Sequence, residues 1–110
     1  MVENPQIKNS LTGETEICDP EYLGSVANTI IVGERCQLEN GARGEIRFVG
    51  KVPDLGYGYF VGIMLDQPQQ GLGNGTYEGL YYFYCPEGHA YFERPNKIEM
   101  GDFPKIEDND

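Results

Sequence analysis

The sequence has no tryptophan, one histidine, three cysteines, and 8 basic residues against 18 acidic ones. Each shortage excludes a class of function. His89 follows Gly88 in a turn and has no cysteine or carboxylate beside it in a metal or catalytic pattern. Such a ring is expected to bond to backbone. Cys18, Cys36 and Cys85 are odd in number and widely spaced, so they form neither a disulfide framework nor a C-x-x-C zinc pair. We read them as two core thiols and one tail thiol in a reducing compartment. The net charge is −10, and it is concentrated at the ends: residues 1–29 carry −4, residues 30–100 carry −3 and residues 101–110 carry −3. That distribution argues against nucleic-acid and anionic-membrane partners, which require a basic surface. No apolar run approaches the ~20 residues of a membrane span. Residues 1–11 lack the apolar core of a signal peptide. The expected location is the cytoplasm.

Candidates for catalysis are also few. Ser10 and Ser25 lie outside any nucleophile elbow. The neighbouring acids Glu107 and Asp108 lie at a terminus, where no surrounding shell can tune them. No catalytic residue, metal ligand or cofactor is assigned, and the chain is not expected to be an enzyme.

What the sequence does have is glycine and tyrosine. The segment Gly71-Leu72-Gly73-Asn74-Gly75 lies between a strand-like run from Tyr59 to Leu65 and the aromatic run Tyr81-Tyr82-Phe83-Tyr84. Three glycines in five residues permit positive φ and the close approach of another chain. No Lys-Ser or Lys-Thr pair follows and the segment leads into strands, so it is not a phosphate loop. Glycines that only make tight turns give the same pattern. Eight tyrosines and five phenylalanines exceed what one small core hides. Tyrosine tolerates half-burial at a binding surface, and a barrel rim accommodates it equally well.

The chain is one domain with tails. Residues 1–29 have no clear period and read as a flexible acidic extension. A short helical turn is expected near residues 20–27, with Asp19 as N-cap and Pro20 at the first helical position. Beyond residue 31, alternating runs at 36–39 and 44–49 flank the turn Asn40-Gly41, with Ile46 and Phe48 placed on one face. Further strands are expected at 60–65, 80–85, 90–93 and 97–100, with a short one at 76–77. Short strands broken by glycine-rich loops point to a small all-β barrel or sandwich.

Several motifs interlock across residues 31–100. They are Val32-Gly33-x-Arg35-Cys36, Gly44-x-Ile46-Arg47-Phe48-Val49-Gly50, Gly58-Tyr59-Phe60-Val61-Gly62-Ile63-x-Leu65-Asp66, then residues 71–75, Gly79, Tyr82-Phe83-x-Cys85 and Phe92. In order and spacing they resemble the CAP-Gly domain. The resemblance implies a small twisted antiparallel SH3-like barrel over residues 30–101, with an acidic tail at 102–110. Val32-Gly33-x-Arg35-Cys36 and Gly101-Asp102-Phe103-Pro104 match a narrower version of the pattern that is preceded by further domains. On that reading the chain is a fragment or a short relative.

By the same resemblance the function is binding of acidic–aromatic C-terminal tails ending like Glu-Glu-Tyr. The implied partners are the α-tubulin tail, an end-binding-protein tail or another tubulin-folding cofactor, and the implied setting is the cytoskeleton. The implied groove consists of Tyr59, Phe60, Gly71, Leu72, Gly73, Asn74, Gly75, Phe92 and Arg94. Phe48 and Phe83 are assigned to the core. The family loop reads GKNDG; here Leu72, Gly73 and Asn74 replace its three central residues, and Phe60 stands where tryptophan is usual. A scaffolding domain that has lost tail binding, or an SH3-like binder of proline-rich peptides, also fits these residues.

Overall fold

The structure is a computed structural model that describes residues 6–8 and 15–105. The expectations for the acidic extension and the acidic tail fall in part on residues 1–5, 9–14 and 106–110, which lie outside the described residues. Two short strands, β1 (Gln6–Lys8) and β2 (Thr15–Ile17), pair with each other. A helix, α1 (Gly24–Ala27), follows. The main sheet comprises β3 (Arg35–Leu38), β4 (Arg43–Lys51), β5 (Tyr59–Leu65), β8 (Ala90–Glu93) and β9 (Ile98–Met100). Its order is β8-β5-β4-β3-β9, and every pairing is antiparallel. A hairpin of β6 (Thr76–Tyr77) and β7 (Leu80–Tyr81) stands apart from it.

The sheet is buried on both faces because β5 alternates between two apolar clusters. Val61, Ile63 and Leu65 join Ile30, Cys36, Leu38 and Ile46 in the first cluster. Met64 contacts the second, formed by Phe83, Cys85 and Ala90 with Phe48, Tyr82 and Phe92. Gly62 lies between them, and a Cβ there would fall 2.4 Å from the Phe83 ring. The missing side chain is what seats that ring on the sheet.

Three details differ from the sequence expectation. Ile46 and Phe48 are on opposite faces, because the register of β4 against β5 shifts between them. One extra residue, Arg47, breaks the two-residue period and turns Phe48 into the second cluster. The aromatic run 80–85 is a strand only at Leu80–Tyr81. Beyond it, the Tyr82 and Phe83 N–H groups donate to the Gly75 carbonyl and the Cys85 N–H donates to that of Asn74. The backbone of the run is satisfied by the glycine loop instead of a neighbouring strand.

The third difference concerns residues 19–27, which pack on the domain. Ala27 is buried and the Tyr59 N–H donates to the Tyr22 carbonyl. Lys51 pairs with Glu21 at 2.8 Å. Asp19 does cap, but it caps the turn: its Oδ1 accepts the Glu21 N–H, while Leu23, at φ 65°, precedes the helix. At the other end, Arg35 is bidentate to Asp66 and donates to the Phe103 carbonyl. Arg43 donates to the Pro104 carbonyl and lies over the Phe103 ring. Two arginines therefore hold the chain that leaves β9.

Candidate functional site

The face of the sheet that carries the second cluster is organised in rows across β4, β5 and β8. Phe48, Gly62 and Phe92 are in register and form the middle row. Glu45, Met64 and Ala90 form the row on one side, with Gly73 bridged to Ala90. Gly50 and Phe60 lie on the other side, with Arg94 next to them. Because residues two apart share a face, Phe60, Phe92 and Arg94 are brought together. Tyr59 points to the opposite face. Its ring lies under Lys51 at 5.4 Å, its hydroxyl donates to Glu21, and a Cβ on Gly24 would meet it at 3.1 Å. The pleat thus separates Tyr59 from the other residues the sequence grouped with it.

Phe92 is the centre of an aromatic bed. Tyr77, Tyr82 and Phe83 meet its ring edge-on at 6.3, 5.7 and 5.6 Å, and Tyr82 meets Phe48 at 5.2 Å. Edge-to-face contacts at these distances suit the ring quadrupoles. Phe60 is only 8% exposed and lies beneath the Arg94 guanidinium, 3.9 Å from it. Arg94 also lies over Tyr22 at 5.1 Å and donates from Nη1 to the Tyr59 carbonyl. Phe60 thus acts on this face chiefly through the cation stacked on it.

The loop 71–75 borders the bed and is fastened to it. The Gly73 carbonyl accepts the Gly88 and Ala90 N–H groups, and the Gly75 carbonyl accepts those of Tyr82 and Phe83. Gly75 has φ 104°, and a Cβ on it would fall 1.7 Å from the Phe83 carbonyl oxygen. No other residue type fits there. Leu72 packs against the first cluster, so it anchors the loop through apolar contact. The Asn74 side chain closes a local turn, its Oδ1 accepting the Thr76 N–H and hydroxyl. Gly71 has open space around it. Among the described residues, the loop presents no cation.

Two groups on this face were not marked by the sequence reading of the site. Arg47 is delivered to it by the β4 bulge, with Nη2 3.6 Å from the Met64 sulfur. The Tyr82 hydroxyl is buried without a hydrogen-bond partner. A sequence pattern that assumes unbroken alternation assigns Arg47 to the other face. Elsewhere the expectations for the cysteines and histidine agree with the structure. Cys36 and Cys85 are buried and Cys18 is exposed. Burial pushes the Cys36 thiol up to about 11 and the Cys85 thiol upward too, the latter offset in part by the Arg47 charge. His89 Nδ1–H donates to the Leu65 carbonyl at 2.6 Å. No cluster of three potential metal ligands occurs among the described residues.

A sequence model of the CAP-Gly domain matches residues 32–98. Tubulin-folding cofactor B of Arabidopsis thaliana is 36% identical over 104 residues, covering 94% of this chain and 40% of that protein. Tubulin-specific chaperone B of Caenorhabditis elegans is 37% identical over 84 residues, covering 73% of this chain and 36% of its own length. The present chain thus spans less than half of these relatives. The solved CAP-Gly domain of the human kinesin-like protein KIF13B superposes with a TM-score of 0.58 at 30% identity, over 66% of this chain and 70% of that one. With its antiparallel sheet and glycine loop in the positions described, this chain belongs to the CAP-Gly family.

Proposed function

We propose that the chain is a non-enzymatic binding module for acidic–aromatic C-terminal tails, ending like Glu-Glu-Tyr, of α-tubulin or microtubule end-binding proteins. Its setting is tubulin folding or microtubule organisation in the cytoplasm. The observation that carries this reading is the aromatic bed around Phe92, which has a guanidinium on one side and the glycine loop on the other. An aromatic side chain of the tail packs edge-on against Tyr77 and Phe92. Its carboxylates find Arg94 within the same face. The relatives named for tubulin folding support the choice of tail.

Calorimetric titration of the full chain with a peptide ending in Glu-Glu-Tyr tests this, against the same peptide lacking the tyrosine and against a proline-rich control. The expected result is binding of the first peptide, and loss of about 1–2 kcal/mol, roughly five- to thirty-fold in affinity, when the tyrosine is removed. Phe92→Ala is expected to cost a similar amount. Equal binding with and without the tyrosine contradicts the reading. Preference for the proline-rich peptide assigns the aromatic face to a different ligand.

A further inference from the structure

Of the four arginines, three are well bonded and one is not. Arg35 holds Asp66 and the Phe103 carbonyl. Arg43 donates to Gln37 and Pro104. Arg94 donates to the Tyr59 carbonyl and is stacked on two rings. Arg47 contacts the thioether of Met64, a weak acceptor. Its Nε lies 3.3 Å from Glu45 Oε2, an ion-pair distance, yet is out of line for a hydrogen bond and is buried without one. The second buried polar atom without a partner among the described residues is the Tyr82 hydroxyl. Tyr82 lies against Phe48, the residue after Arg47, so both orphans border the same aromatic bed. A guanidinium carries five donors in a planar fork suited to carboxylates. Here most of that capacity is unused, and the side chain keeps 34% of its exposure.

The row structure shows where this charge stands. The Arg47 side chain reaches Met64, and Arg94 stacks on Phe60, four residues away along β5. At the rise of a strand, Met64 and Phe60 are about 13 Å apart, with the row of Gly62 and Phe92 between them. Leu72 packs against the first cluster, and the glycine loop, bridged to the β8 edge at Ala90, adds no charge of its own.

We propose that Arg47 is a specificity-determining residue of the groove, which takes a carboxylate of the bound peptide while the peptide's aromatic group lies on Phe92. This rests on the tail-binding reading above. The carboxylate displaces Glu45 from Arg47 or shares the guanidinium with it, since the Glu45 contact is misaligned. The source is the C-terminal carboxylate or a glutamate side chain, since both present the same two oxygens.

A double-mutant cycle on the full chain distinguishes them. Wild type, Arg47→Met and Arg47→Lys are titrated with the Glu-Glu-Tyr peptide, its C-terminally amidated form and its Glu-to-Gln forms. Arg47→Met keeps the length and apolar stem of the side chain, and an unchanged amide spectrum confirms its fold. The expected result is an affinity loss of roughly five- to twenty-fold for the unmodified peptide, the scale of one exposed charge-assisted bond. One modified peptide then loses nothing further in Arg47→Met, which identifies the carboxylate that Arg47 holds. Arg47→Lys recovers part of the loss, because it restores charge without the fork. If the wild type binds and Arg47→Met binds equally well, or if no carboxylate couples to it, the inference is overturned and the groove reading stands. If the wild type binds none of the peptides, both are overturned.

Discussion

Cys36 and Phe60 show what single residues contribute. Cys36 was expected in the core and Phe60 in the groove, and burial decides what each can do. The Cys36 thiol is fully buried and held up to about 11, so at pH 8 roughly one in a thousand is thiolate. Cys85 is also buried and raised. A thiol reagent is therefore expected to modify one cysteine, Cys18, in the folded chain and all three in denaturant. Quantitative labelling followed by mass spectrometry checks the count, and rapid labelling of two or more native thiols contradicts the assigned core. The raised thiol also has a pH consequence. Its folded pKa exceeds the unfolded value, so its contribution to stability is intact below about 9 and is lost as pH rises toward 11. The orientation of Tyr59 and Phe60 was legible only in part. Their apolar and aromatic character marks a strand, but which face each ring takes follows from the pairing partners, and those are remote in sequence.

At the scale of elements, the strands and turns were legible because alternation and glycine position are local signals. The β4 bulge was not. It is a mismatch between two strands, and no local pattern in 43–51 announces that Arg47 is the extra residue. The role of the glycine loop was legible as permissiveness, whereas its fastening to residues 82–85 was not, because those aromatics read as a strand. Two substitutions separate the kinds of glycine in the loop. Gly75→Ala is expected to cost about 3 kcal/mol or more, since its Cβ meets the Phe83 carbonyl and its φ is 104°. Gly71→Ala, with φ 92° but open space, is expected to cost about 1 kcal/mol. Chemical denaturation checks both, and equal costs contradict the fastening.

Residues 19–27 give a third test. Tyr22→Ala removes the ring over Arg94 and is expected to lower the melting temperature by about 4–8 °C, the equivalent of roughly 1 kcal/mol. No change would mean that the domain does not depend on this segment. Composition alone hid the contact, because residues 18–29 bury few groups and dock through a backbone hydrogen bond, Ala27, the Glu21 carboxylate and the Tyr22 ring.

For the whole molecule, the governing quantity is a net charge of −10 around a face with local guanidinium groups. Under the proposed function, an acidic peptide approaches against the overall field and is held by short-range contacts. The association rate is therefore expected to rise as salt increases from about 20 to 200 mM, opposite to a basic binder, because the Debye length falls to about 8–10 Å or less. Stopped-flow mixing measures it, and a rate that falls steeply with salt contradicts this electrostatic picture.

In the proposed function the tail binds across the aromatic bed, between Arg94 and the glycine loop. An amide chemical-shift map of the full chain, titrated with a peptide ending in Glu-Glu-Tyr, tests it most directly. The largest shifts are expected at Arg47, Asn74, Gly75, Tyr77, Tyr82, Phe92 and Arg94. Shifts confined to Glu21, Lys51 and Tyr59, which meet on the opposite face, would contradict it.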